Sequence, residues 1–514
     1  MNRKVGTVTV LKKEEMHSVQ QENIKASIFL SNLIRSCIGP RAMIKMILTR
    51  IGTIELTNDG NSILREIEIS HPVIKSLIEL SRTQNEEVGD GTTSVVVLSA
   101  EILKNMEGLL REEYHPVFLC NVLKKILDIL LVKLKKYSID IRNKEEMVRK
   151  IVNCGLGTKI AKYISDLDLE SIAIQSVNMI KEKNNEVHTK NIRIEKVPGG
   201  KLSESMVFDG IIIQKSLLDY TMRSKIENAK ILLIDFPLEY RKGENQMSIE
   251  MHNSEVFGRA LEVEEEQIER MVNLLAICKP DVVVSEKGIS DYAIALFKKH
   301  GISAIRRIKK SENQRISLAT GALIVSRAED ATPQALGTAG LFEVSRIGDE
   351  EYCKFIKCKS PRACSVLLRG PSKDIINELE RNMQDALAIA RNAYCSNSAV
   401  LGAGSIEMAL AHELETVQGL SDKEKKVYMA VAEALHAIPA CLIANSGNTK
   451  PLVKLLELKA LHSKKKHMYG VDGNTGEIVP TEVYESILVK EQSLKSAIEG
   501  AIIILRVDGI VKQE

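Results

Sequence analysis

Apolar residues recur at helical spacing from about residue 22 to residue 134, broken by turn signals at Gly39-Pro40, Asn58-Asp59-Gly60 and Gly89-Asp90-Gly91. The pattern predicts a mainly helical region. The stretch 138–206 is more polar and closes on Pro198-Gly199-Gly200, a turn suited to a hinge or boundary. Between 207 and 368, short β-rich runs at Gly210-Ile211-Ile212-Ile213, Ile231-Leu232-Leu233-Ile234, Val282-Val283-Val284 and Ala322-Leu323-Ile324-Val325 alternate with helical stretches. That alternation predicts an α/β module. Within it Ile268, Met271, Val272 and Leu275 share one helical face beside the acidic run Glu262 to Glu269. The face is expected to dock on the sheet while the acidic side stays in water. After Arg369-Gly370-Pro371 the helical pattern returns through Lys450, and Ile498, Ala501, Ile502 and Leu505 repeat it near the end. Two helical regions therefore flank an α/β insert.

A chain of 514 residues corresponds to roughly three to four domains at about 150 residues each. With 44% hydrophobic and 27% charged residues it is globular in composition. Lys plus Arg number 71 against 68 Asp plus Glu, so the net charge of +3 supplies no bulk attraction for nucleic acid or an acidic membrane. Aromatics make up 4%, with no Trp, too few for stacking platforms or membrane belts. No apolar run of about 18 residues occurs and Met1 to Thr7 lead into no apolar segment, so the expectation is a cytoplasmic chain with neither nucleic-acid nor membrane partners. The nine cysteines suit reduced, packed thiols. Cys353, Cys358 and Cys364 form the one cluster, and without a CxxC pair packed thiols fit better there than a zinc site.

The GxxxxGK[ST], strand-linked GxGxxG, HExxH and GxSxG signatures are all absent. What stands out is Val88-Gly89-Asp90-Gly91-Thr92-Thr93-Ser94, a permissive turn opening an apolar helix. Such a helix start offers unpaired N–H groups to phosphate, and a carboxylate fits there if Mg²⁺ bridges it to the phosphate oxygens. An ordinary tight turn before a capped helix accounts for the pattern equally well. Ser36 to Arg41 and Thr57 to Ser62 have similar character, each a permissive backbone beside a charge and before an apolar helix. Three such loops suggest a phosphate cradle built from several helix ends.

The ordered set Asn58 to Leu64, Ser81-Arg82-Thr83-Gln84, Val88 to Ser94, Gln384-Asp385-Ala386-Leu387 and Tyr469 to Gly473 resembles the group II chaperonins, the ATP-driven folding machines of archaea and the eukaryotic cytosol. The match runs over essentially the whole chain. A second set, Leu238 to Glu244, Lys279 to Val283, Glu286 to Asp291 and Ala304 to Arg307, resembles one paralogue group among the eukaryotic members.

The resemblance implies an α+β multidomain fold: an equatorial ATPase domain from both chain ends (1–137 and 399–514), an intermediate hinge entered twice (138–206 and 369–398), and an α/β apical domain (207–368) that binds substrate and carries a helical lid protrusion at about 244–274. It implies ATP and Mg²⁺ as cofactors, with nucleotide contacts at Gly39, Pro40, Gly60, Gly89, Gly91, Thr92, Thr93 and Ser94, and Asp90 as the Mg²⁺ ligand. Asp59 and Asp385 would orient or deprotonate the attacking water, Asp385 arriving only on closure. Lys159 matches a lysine that approaches the γ-phosphate. The usual triple glycine is Gly402-Ala403-Gly404 here, Asn85 stands where an acidic residue is common, and Glu485 replaces the Asp expected at the ribose. Implied partners are paralogous subunits in a hetero-oligomeric double ring, non-native clients such as actin and tubulin, and prefoldin-type co-chaperones. The alternatives are a non-catalytic chaperonin-like scaffold and an unrelated phosphotransferase using the same loops.

Overall fold

The computed structural model describes residues 8–9, 16–48, 52, 54–67, 69, 71–142, 145–159, 168–181, 187–240, 254–359, 361–509 and 512–513. The chain divides into two compact units, one made of Met1–Ser165 with Arg381–Glu514, the other of Asp166–Glu380.

The two-ended unit is built on helices. Thr92–Arg111 runs through its centre, with Val95, Val96, Val97, Leu103 and Met106 inaccessible to solvent. Met16–Ile34, Pro72–Val88, Asp422–Leu435 and Ile487–Leu505 pack against it. Val, Leu and Ile on all sides of a helix are what a fully surrounded position requires. Ile498, Ala501, Ile502 and Leu505 are all buried in the last of these helices, as their spacing predicts. The apolar stretch Asp422–Asn445, long enough to cross a membrane by composition, lies mostly inside the core.

Small sheets stitch the two chain ends together. Ser398–Leu401 pairs antiparallel with both Tyr484–Ser486 and Ile139–Asp140. Tyr469–Val471 pairs with Ile478–Pro480. The loop Ser36 to Arg41 does not open an apolar helix, contrary to its sequence pattern. It leads into the strand Lys45–Leu48, which forms a hairpin with Ile54–Thr57 in which Lys45 faces Thr57. Met46, Leu48, Ile54 and Leu56 are exposed on it, so these apolar residues mark strands that the helical core does not cover. The pairing brings the Gly39-Pro40 turn and the Asn58-Asp59-Gly60 turn to the same end of the hairpin.

The second unit contains a seven-stranded mixed sheet. Lys225–Ile234, Val282–Ser285 and Ser303–Ile305 run parallel, with Ile324–Val325 parallel to the first of them. Gly337–Ile347, Glu350–Ile356 and Ile211–Ile213 continue the sheet antiparallel. All four predicted β runs lie in it. The helix Ser254–Ile277 buries Ile268, Val272 and Leu275 in the core with Leu232, Val283 and Phe297, as its spacing predicts. Glu262 to Glu266 are exposed. The protrusion expected at 244–274 thus falls partly outside the described residues, and its last turns dock on this sheet. Cys353, Cys358 and Cys364 are buried and free, and each thiol donates to a different carbonyl, of Lys215, Phe355 and Ser176 respectively. Burial pushes all three up to about 12, so they are protonated packing groups.

Candidate functional site

The two-ended unit contains a cavity of about 600 Å³, within the range of small-molecule sites. Gly39, Pro40, Asp59, Gly60, Gly89, Asp90, Gly91, Thr92, Thr93, Ser94, Lys159, Asp385, Ala403, Gly404 and Glu485 all line it. Gly402 does not. It lies beneath Glu485, where a Cβ would come within 2.4 Å of the Glu485 Oε1, so it makes room for that side chain.

The floor is the start of the helix Thr92–Arg111. Its N-cap, Gly91, is left-handed (φ +78°) and supplies no capping side chain, so the first N–H groups face the cavity without one. A Cβ on Gly91 would lie 2.8 Å from Ser493 Oγ. Asp90 accepts from the Gly91 N–H through Oδ1 at 2.6 Å, and Gln84 Nε2 donates to the Asp90 carbonyl at 2.9 Å. The neighbouring loop fits closely too: a Cβ on Gly60 would stand 2.4 Å from Thr93 Oγ1. A wall forms where Gly39 faces Leu442 and Pro40 faces Gly473.

Three charged groups converge above this floor. Lys159 Nζ lies 2.8 Å from Asp385 Oδ2 and 3.7 Å from Asp59 Oδ1. Asp59 is at once the N-cap of the helix Gly60–Glu66, its Oδ2 accepting from the Ser62 N–H at 3.0 Å and the Ser62 hydroxyl at 2.8 Å. Burial raises the Asp59 carboxyl, but Lys159 and the hydrogen bonds from Ser62 and Asn61 outweigh it and leave the group below the usual carboxylate range. Among the described residues Asp385 has a side-chain hydrogen bond from Lys159 and no set of donors comparable to that of Asp59. Burial, opposed by Lys159 and reinforced by the charges of Asp59 and Asp90, pushes it up to about 7. Two carboxylates on one lysine are thereby set to different proton affinities, the arrangement that separates an ionised anchor from a proton acceptor near neutral pH.

Asp385 sits on the helix Lys373–Ser396, which is fastened to the chain leading into the Gly89-Asp90-Gly91 turn. Asn392 Nδ2 donates to the Val88 carbonyl at 2.7 Å, and Arg391 donates to the Glu87 carbonyl. Asp385 therefore stands in the cavity in this structure. Lys159 is held by the turn ending the helix Glu145–Leu156, where its N–H donates to the Leu156 carbonyl at 3.0 Å and Asn58 donates to the Thr158 carbonyl.

The sequence profile of the TCP-1/cpn60 chaperonin family matches residues 30–514. The chain belongs to that family. Curated relatives named T-complex protein 1 subunit gamma include one from Encephalitozoon cuniculi, 44% identical over 510 residues that span 98% of each chain. A second, from Schizosaccharomyces pombe, is 44% identical over 99% of this chain and 96% of its own. A third, from Homo sapiens, is 43% identical over 97% of this chain and 93% of its own. The paralogue group that the stretches around Leu238 and Glu286 resemble is this gamma type.

The residues of this chaperonin chain fit the groups that the family implies. A left-handed glycine before an uncapped helix start, with a second glycine where any Cβ would strike Thr93, has the open backbone that phosphate oxygens require. No cluster of three or more His, Cys, Asp or Glu able to hold a metal alone exists among the described residues. Mg²⁺ does not need one, because it takes one or two carboxylates together with substrate phosphates, and Asp90 at the turn suits that role. Ala403 is left-handed (φ +56°), the backbone that explains why glycine suits the position, and its carbonyl accepts from the Val471 N–H at 2.9 Å.

Sequence motifs left part of the cavity unread. Lys150 and Asn153 on the helix Glu145–Leu156, Ile438 and Leu442 on Ala437–Asn445, and the run Pro480 to Val483 also line it. Only the Pro480-Thr481 break after a strand gave a local signal. Lys490 carries no such signal, because its helix also bears Glu491, Gln492, Lys495 and Glu499.

Proposed function

We propose that this chain is a protein-folding chaperonin subunit that binds Mg²⁺-ATP in the cavity and hydrolyses it. The observation that carries the reading is Lys159 held between Asp59 and Asp385 above the open helix start at Gly91-Thr92-Thr93. In this reading the N–H groups of Thr92 and Thr93 bind phosphate oxygens, and Asp90 holds Mg²⁺. The metal, when bound, neutralises phosphate charge and helps align the transferring group. Asp59, kept ionised by Lys159 and Ser62, orients water. Asp385, poised near 7, accepts its proton. Lys159 sits where it can leave the carboxylates for the γ-phosphate. The apolar side chains of Ile438 and Leu442 suit the face of a base, and Glu485 suits a ribose hydroxyl.

On this account the two-ended unit supplies the equatorial ATPase and part of the hinge, and the mixed-sheet unit supplies the apical surface. The subunit joins paralogous chains in a cytosolic double ring that encloses non-native proteins such as actin and tubulin, with hydrolysis driving closure. Near full-length similarity to proteins named as T-complex subunits supports the assembly. The test is native mass spectrometry of the tagged chain purified from its own cells with and without ATP. A very large, ATP-responsive particle of several related chains is expected, and a free monomer would overturn the reading.

A further inference from the structure

At the cavity wall a half-buried cation bridges two carboxylates. Lys490 Nζ lies 2.7 Å from Glu407 Oε1 and 2.7 Å from Glu485 Oε2. Glu407 comes from the helix Ser405–Glu415, Lys490 from Ile487–Leu505, and Glu485 from the strand Tyr484–Ser486. Lys490 and Glu485 line the cavity, whereas Glu407 lies behind them against a smaller hollow of about 70 Å³ that also touches Asp90 and Gly91.

Two features set this cluster apart from an ordinary ion pair. It joins two acids to one base, and among the described residues the buried second oxygen of Glu407 has no hydrogen-bond partner. Burial costs are met only where geometry is fixed, so such clusters tend to hold a position. Glu485 is also clamped from two sides. Its Oε2 is held by Lys490, and its Oε1 rests over Gly402, where no Cβ fits. A glutamate has one more methylene than an aspartate and one more torsion to wander; here Lys490 and the opening at Gly402 fix it at the cavity wall.

We infer that Lys490 is a positioning residue that fixes Glu485 for recognition of a ribose hydroxyl, so that this subunit's discrimination between ribo- and deoxyribonucleotides depends on a lysine that need not touch the nucleotide. The inference rests on the nucleotide reading of the cavity. Burial raises the Glu485 carboxyl and Lys490 lowers it, so the lysine also favours the charged, hydrogen-bond-accepting form.

The test uses the assembled particle and reads this subunit alone, by photocross-linking of azido-ATP to it in competition with ATP or with each of the two deoxy-ATP isomers. Loss of a hydrogen bond to a carboxylate corresponds to roughly tenfold in affinity, so the unaltered subunit should prefer ATP over at least one isomer by about that factor. Lys490→Met should reduce the preference to near unity, and Lys490→Arg should restore most of it. Because Lys490→Met strands the buried Glu407 as well as Glu485 at the cavity wall, the double variant Lys490→Met with Glu407→Met removes the buried acid and should show the same loss in a particle that assembles. A preference unchanged in either Met variant would overturn the inference and leave the cluster a packing element. No cross-linking to the unaltered subunit would instead overturn the nucleotide reading.

Discussion

A Cβ on Gly89 would stand 2.3 Å from the Cβ of Ala388. Ala388 lies three residues beyond Asp385 on the same helix, and Gly89 precedes Asp90. This close approach, with Asn392 bonded to the Val88 carbonyl, lets the carboxylates of Asp385 and Asp90 share one cavity.

Gly89→Ala should therefore separate binding from turnover. Its left-handed backbone (φ +67°) costs about 1–2 kcal/mol for alanine, and pushing the Asp385 helix away costs about 1–3 kcal/mol more. Hydrolysis by this subunit is expected to fall far more than its azido-ATP labelling, with a lower thermal midpoint. Equal losses in both would contradict the docking argument.

Hydrolysis should rise with pH through about 7, because Asp385 must be ionised to take a proton. The stability sign is opposite. A carboxyl raised from 3.8 to about 7 in the folded protein contributes stability below 3.8 that is lost as pH rises through about 7. Asp385→Asn should accordingly gain thermal stability relative to the unaltered protein as pH climbs across that window, measured by melting at a series of pH values.

Lys159→Met removes the one cation that lowers both aspartates. Residual hydrolysis should then show its pH midpoint displaced upward, as well as a reduced rate. A pH–rate profile of the variant that keeps the original midpoint would count against the coupling of these three groups.

Ala403→Gly should stabilise the protein. The left-handed backbone at Ala403 costs about 1–2 kcal/mol relative to glycine, and the greater freedom of glycine in the unfolded chain returns about 0.4–1 kcal/mol of that. The net gain of about 0.5–1 kcal/mol should appear as a small rise in melting temperature with nucleotide labelling intact.

Much of the fold could be read from periodicity because its main elements carry unbroken local patterns. Val95 to Leu98 are apolar all round and, with Ile102, Leu103 and Met106, fill the centre of a helical core, and Val282 to Val284 form an interior strand. The paired strands Lys45–Leu48 and Ile54–Thr57 escaped because each is only four residues long and Met46, Leu48, Ile54 and Leu56 are exposed, although Ile54-Glu55-Leu56-Thr57 does alternate. Within the site, the glycine-bounded turns and Asp385 belong to short contiguous motifs. Lys490, Leu442 and Lys150 enter the cavity from helices whose local sequences say nothing about it, and only tertiary packing brings them there. Gly402 had the reverse fate: a motif glycine whose space is taken by Glu485.

The most direct measurement of the account is the identity of the nucleotide found on this subunit after the assembled particle has been given base-labelled azido-ATP, allowed one turnover, and cross-linked. The unaltered subunit should carry the diphosphate, and Asp385→Ala should carry the triphosphate at similar total labelling, corresponding to a loss of about a hundredfold or more in hydrolysis. Diphosphate on both would show that Asp385 is not the proton acceptor, and triphosphate on both would show a subunit that binds without turning over.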